Sequence, residues 1–141
     1  MFTNILVAYD GSNLSKKALN KAVEFYRHSE ESKPSKLEIL HVFQDVVTSG
    51  QVYFVVNEDS MKEYAEKLRG DIKELVPPDI RLAFFQEKGD PARTILQHAE
   101  KHGNDLIVMG SRGLGRIREV VLGSVSHNVA QHSKVPVLII K

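Results

Sequence analysis

Short apolar runs alternating with amphipathic stretches predict an α/β domain in which helices cover both faces of a parallel sheet. Three observations carry that expectation. Residues 5–9 and 106–109 are continuous apolar runs, the pattern of strands buried on both sides. The segments between such runs repeat their apolar residues at helical spacing. Capping and breaking residues fall at the joints.

The first strand, 5–9, ends at Asp10-Gly11. Ser12 then caps a helix whose inward stripe is Ala18, Leu19, Ala22, Val23 and Tyr26. Lys33-Pro34-Ser35 breaks that helix, and residues 37–43 read as the second strand. A second helix carries Met61, Tyr64, Ala65, Leu68, Ile72 and Leu75 at helical spacing and stops at Pro77-Pro78. Residues 80–85 read as the third strand. Asp90-Pro91 joins a capping carboxylate to a proline at the first helical position. Ile95, Leu96 and Ala99 give that third helix its apolar side, and Gly103 its stop. A fourth strand at 106–109, a fourth helix at 124–132 and a fifth strand at 135–140 complete the pattern. Residues 44–56 exceed the usual connection of about 2–6 residues. Within them Val52-Tyr53-Phe54-Val55-Val56 reads as an extra strand, a helix lead-in or a flap over a site.

Composition bounds the function. The 141 residues make one domain, 1–141, with 42% hydrophobic and 26% charged residues, enough for a packed core. Nineteen Lys and Arg against eighteen Asp and Glu leave a net charge of +1, which argues against a dedicated nucleic-acid binder. The absence of cysteine excludes disulfide scaffolds, thiolate zinc sites and cysteine nucleophiles. The first residues carry no basic region ahead of an apolar stretch, and the apolar runs fall far short of the roughly 18 residues of a membrane helix. The expected setting is cytoplasmic.

Chemistry concentrates in one stretch. Gly110-Ser111-Arg112-Gly113-Leu114-Gly115-Arg116, followed by Gly123-Ser124-Val125-Ser126, leads from the fourth strand into the fourth helix. A helix amino terminus offers free N–H groups and a positive dipole end to anions, and glycines let a ligand approach the backbone. Ser124 and Ser126 would add hydroxyl donors, and Arg112, Arg116 and Arg118 positive charge. The glycines alone fit a tight connection as well. There is no G-x-x-x-x-G-K-[S/T] loop and no G-x-G-x-x-G after the first strand with an acid about 20 positions on, so a P-loop NTPase or a dinucleotide dehydrogenase is not expected. No G-x-S-x-G elbow supports a hydrolase triad.

The spacing Gly110-x2-Gly113-x9-Gly123-Ser124 matches the G-2x-G-9x-G-[S/T] signature of ATP-binding universal stress proteins. The chain resembles that family over nearly its whole length: residues 5–12, His41-Val42, Gly89-Asp90-Pro91, 105–111 and 135–138 follow the family's pattern in order. The resemblance implies an open, Rossmann-like sheet of five parallel strands in the order 3-2-1-4-5. It also implies ATP at the carboxyl ends of the first and fourth strands, where such an order opens a crevice. It places Asp10, with Ala8 beside it, near the adenine and ribose, and Val42 at the base through its backbone. Met109, Gly110 and Arg112 would line the nucleotide, and Gly113, Gly123, Ser124, Val125 and Ser126 would hold the phosphates. Magnesium or manganese on the phosphates is implied, although no carboxylate cluster looks like a dedicated metal cage. Taken singly, Asp10 reads as a turn residue capping local N–H groups, and Val42 and Met109 as core.

His98 and His102 stand four apart on the third helix, a metal-ligand spacing, but no third ligand is apparent in the sequence and they read as polar edges of the helix. His127 reads as a surface residue one turn into the phosphate-side helix. Pro136 marks the fifth strand as an edge, yet residues 137–140 are wholly apolar, a combination that proteins usually cover. Pairing of Val135 to Ile140 with a second copy is therefore expected, and the resemblance implies the same homodimer. The leading expectation is an ATP-binding, nucleotide-dependent stress-response regulator. A slow ATP hydrolase or adenylyl-transferring enzyme on the same scaffold, and a nucleotide-free interaction module, are the alternatives.

Overall fold

The computed structural model describes residues 2–28, 36–44, 46–49, 52–55, 57–113 and 122–141. The helix breaker Lys33-Pro34-Ser35, Val56, and the loop residues Leu114, Gly115, Arg116 and Arg118 lie outside the described residues. In chain order the elements are β1 (Asn4–Ala8), α1 (Asn13–His28), β2 (Lys36–Phe43), β3 (Val46–Ser49), β4 (Val52–Val55), α2 (Glu58–Leu75), β5 (Leu82–Lys88), α3 (Pro91–His102), β6 (Leu106–Gly110), α4 (Ser124–His132) and β7 (Val137–Ile140). Five of the strands form one parallel sheet ordered β5-β2-β1-β6-β7, which is the 3-2-1-4-5 arrangement. β3 and β4 pair antiparallel as a separate hairpin, so the 44–56 segment holds extra strands rather than a helix lead-in.

The period-2 alternation of the central strands feeds two cores. Ile5, Val7, Leu37, Ile39 and Val108 face α1 and α2, meeting Ala18, Leu19 and Ala22 from the first helix and Leu68 and Ile72 from the second. Leu6, Leu40, Ile107 and Met109 face the other way, onto Ala92, Ile95 and Ala99 of α3 and Val129 of α4. Each fully buried Leu or Ile contributes roughly 1.5–3 kcal/mol of transfer free energy. That explains why the apolar runs at 5–9 and 106–109 take the centre of the sheet.

The ends of α3 follow the sequence reading. Asp90 accepts the Arg93 N–H at 3.0 Å, Pro91 occupies the first turn, and Gly103 stops the helix in the left-handed region at φ 67°. Ser12 likewise caps α1, its hydroxyl accepting the Ser15 N–H at 3.2 Å. The third sheet strand is displaced from the expected 80–85. Ile80 is buried in a turn closed by its N–H on the Pro77 carbonyl, and the strand continues instead through the polar Gln86, Glu87 and Lys88. Those three pair with His41, Val42 and Phe43, so ladder hydrogen bonds at the sheet edge outweigh the fading apolar pattern.

Glu38 interrupts the apolar run of β2, and its carboxylate is buried at 2% exposure. Four groups converge on it: Lys36 Nζ at 2.8 Å, Asn104 Nδ2 at 3.0 Å, His98 Nε2 at 3.1 Å and His102 Nδ1 at 3.3 Å. Burial alone would raise this carboxyl; the four partners outweigh it and hold it down at about 2. His98 and His102 are therefore partners of a buried acid rather than free polar edges of α3.

Candidate functional site

The carboxyl ends of β1 and β6 part company where the chain changes its direction of travel across the sheet, the place where open α/β sheets bind ligands. A cavity of about 780 Å³ opens there. Ala8, Asp10, Val42, Met109, Gly110, Arg112, Gly113, Gly123, Ser124, Val125 and Ser126 all line it, so the structure brings together the eleven residues expected at a nucleotide, while Arg116 and Arg118 lie outside the described residues. Leu40, Pro91 and Ile95 extend the apolar floor, and the exposed His127 stands at the rim.

Each side of the cavity is held by identifiable contacts. Asp10 Oδ1 accepts the Ser12 N–H at 2.9 Å, so the turn-capping reading of this aspartate holds, and its side chain lines the cavity as well. The Tyr64 hydroxyl of α2 donates to the Asp10 carbonyl at 2.5 Å. It reaches that carbonyl by lying over Gly11, whose φ of +86° suits glycine and where a Cβ would meet the hydroxyl at 2.9 Å. Burial depresses the pKa of His41, with the nearby Asp10 charge opposing, and pushes the phenol of Tyr9, itself a lining residue, up to about 12, with Asp71 adding to the effect.

On the opposite side the Ser111 carbonyl is a hub. It accepts the Gly123 N–H at 2.6 Å and the Ser126 hydroxyl at 2.7 Å, pinning together the two ends of the loop that leads from β6 to α4. The Ser111 N–H donates to Ile140 of β7 at 2.8 Å, which anchors the hub to the sheet. Ser126 is thus not the free hydroxyl donor the sequence suggested, since its hydroxyl is taken up by the Ser111 and Gly123 carbonyls. The N-cap of α4 is Gly123, which has no side chain to cap with, so among the described residues no side-chain cap closes the first turn, whose N–H groups have no intrahelical acceptor.

The three signature glycines serve different ends. A Cβ on Gly113 would stand 2.5 Å from Asp10 Oδ2, so the loop and the aspartate approach closely across the cavity. A Cβ on Gly123 would press the Ser111 carbonyl at 3.3 Å. A Cβ on Gly110 would strike Leu14 of α1 at 2.8 Å, a packing demand unrelated to the cavity. Asp10 is the sole carboxylate among the described lining residues, so a metal ion here would be held mainly by its ligand and by water.

The family profile of the universal stress proteins matches residues 1–141. The chain belongs to the universal stress protein family. Universal stress protein YxiE of Bacillus subtilis is 38% identical over 152 residues, with all of both chains covered. Among solved structures, the universal stress protein UspA from Lactobacillus plantarum superposes with a TM-score of 0.75 at 26% identity, covering 99% of this chain and 97% of that one. A universal stress protein family member from Arabidopsis thaliana, solved with AMP bound, matches with a TM-score of 0.64 at 25% identity, covering 99% and 91%. The five-stranded order above is the fold this universal stress protein shares with such neighbours.

Proposed function

We propose that this universal stress protein binds ATP in the cavity between β1 and β6 and acts as a nucleotide-dependent regulator. The observation that carries the reading is the polarity of the cavity: an apolar floor of Ala8, Leu40, Val42 and Met109 at one side, and an uncapped helix amino terminus with Arg112 nearby at the other. The first suits a purine ring, and the second suits phosphates through helix-end N–H groups and the positive dipole end. Asp10 stands between them at the ribose. The AMP-bound Arabidopsis relative supports an adenine nucleotide. Magnesium or manganese would ride on the phosphates. Regulation follows by linkage: a ligand that favours one conformation shifts the population toward it.

Titrating the purified chain with ATP and magnesium is expected to give saturable heat. At a hundredfold excess over Kd it should add about 2.7 kcal/mol of stability. For a domain of this size that raises Tm on the order of 5–10 °C. No heat and no shift would favour the nucleotide-free interaction module, and steady release of ADP or AMP would favour the enzyme.

The same proposal includes a dimer through β7. This strand lies at the sheet edge, paired with β6 on one side, and Val137, Leu138, Ile139 and Ile140 are each half-buried. An apolar edge with unpaired main-chain groups is a template for a second copy. Sedimentation at micromolar concentration is expected to show a dimer, with a monomer counting against it.

A further inference from the structure

At the amino end of the sheet, away from the nucleotide cavity, we infer that Glu38, His98 and His102 form a site for a divalent transition-metal ion of the zinc class. One donor atom from each of the three lies within 4.8 Å of the others. The separations of 3.1 Å from His98 Nε2 to Glu38 Oε2 and 3.3 Å from His102 Nδ1 to Glu38 Oε1, one imidazole on each carboxylate oxygen, are each close to the spacing of neighbouring ligands on a tetrahedral ion with bonds of about 2.0–2.1 Å. Two imidazoles and one carboxylate select zinc-like ions over magnesium or calcium, which prefer all-oxygen shells.

The surroundings favour a cation. The His98 side chain is fully buried with a carboxylate at each ring nitrogen: Glu38 on Nε2 and Glu87 Oε2 at 3.5 Å on Nδ1. A neutral imidazole carries one N–H and one lone pair, so it can satisfy one of those acids while its lone pair faces the other. Among the described residues Nδ1 has no hydrogen-bond partner as it stands. With a metal on Nε2, Nδ1–H turns to Glu87, the carboxylate–histidine–metal arrangement that fixes ring orientation. Asn104 steadies Glu38 by its bond to Oε2. His102, with 22% of its side chain exposed, is the way in.

Two adjustments accompany binding. The Lys36 ammonium, 2.8 Å from Glu38 Oε1 and 3.2 Å from the His102 carbonyl, is the cation now serving this carboxylate and must swing outward, which its 34% exposed side chain allows. The imidazoles stack with 12° between planes at 3.9 Å, so His102 must turn to aim its nitrogen at a shared ion.

The test uses the untagged full chain, stripped with chelator, free of nucleotide and titrated with Co²⁺, whose d–d absorption reports tetrahedral coordination. One equivalent should bind and be displaced by Zn²⁺. His102→Ala, at a partly exposed position, should keep the fold by circular dichroism and weaken binding at least about tenfold; Glu87→Gln should weaken it by about 10–100-fold, the usual effect of losing an orienting carboxylate. Lys36→Met should tighten it by removing the competing charge. Absence of saturable binding to the wild-type chain, even with binding in Lys36→Met, would overturn the inference, as would binding that His102→Ala leaves unchanged.

Discussion

Gly113→Val is expected to weaken ATP binding by tenfold or more while leaving Tm nearly where it was. The new Cβ would stand 2.5 Å from Asp10 Oδ2, well inside any tolerable contact. What it meets is the free end of a short side chain, so the clash is relieved by turning the carboxylate, not by moving the sheet. Turning it breaks the bond from the Ser12 N–H to Oδ1 and takes Asp10 away from the cavity wall. Tenfold corresponds to about 1.4 kcal/mol, less than a charge-assisted hydrogen bond to the ribose is worth. Calorimetric titration alongside thermal unfolding separates the two effects. Unchanged affinity in a folded variant would mean that Asp10 does not touch the nucleotide.

Gly110→Val should show the converse, a large loss of stability. Its Cβ would lie 2.8 Å from Leu14 Cβ and 3.2 Å from the Leu14 carbonyl carbon, so it meets the first turn of α1 rather than a mobile side-chain tip. β6 is a central strand between β1 and β7 and cannot slide away without disturbing both ladders. Overpacking of this kind costs about 1–3 kcal/mol. For a chain of this length Tm should fall on the order of 5–10 °C, read from thermal or urea unfolding. An unchanged midpoint would mean that α1 has room to retreat.

These two positions also mark what was legible beforehand. The alternation of runs and stripes was enough for the class of fold, and the glycine spacing with Asp10 pointed to one cleft that the structure does assemble. The separate reasons for the glycines were not legible, because Gly110 answers to Leu14 and Gly113 to Asp10, contacts that exist only after α1 folds over the sheet. The role of Glu38 was not legible for a similar reason. Its partners His98, His102 and Asn104 lie 60 or more positions away, and the one local signal was an acid inside an apolar strand run. The third sheet strand slipped because apolar content marks burial, and Ile80 is buried in a turn rather than a ladder.

The bare start of α4 has a consequence for how long the protein survives. With Gly123 in front of it, the helix begins without the side-chain acceptor that would finish its first turn. A phosphate chain bound there, as proposed, would finish it, and the filled chain would then open less often than the empty one. Proteases cut opened chains, so abundance would follow nucleotide supply: starved of ligand, the population would be cleared sooner, with no dedicated degradation signal required.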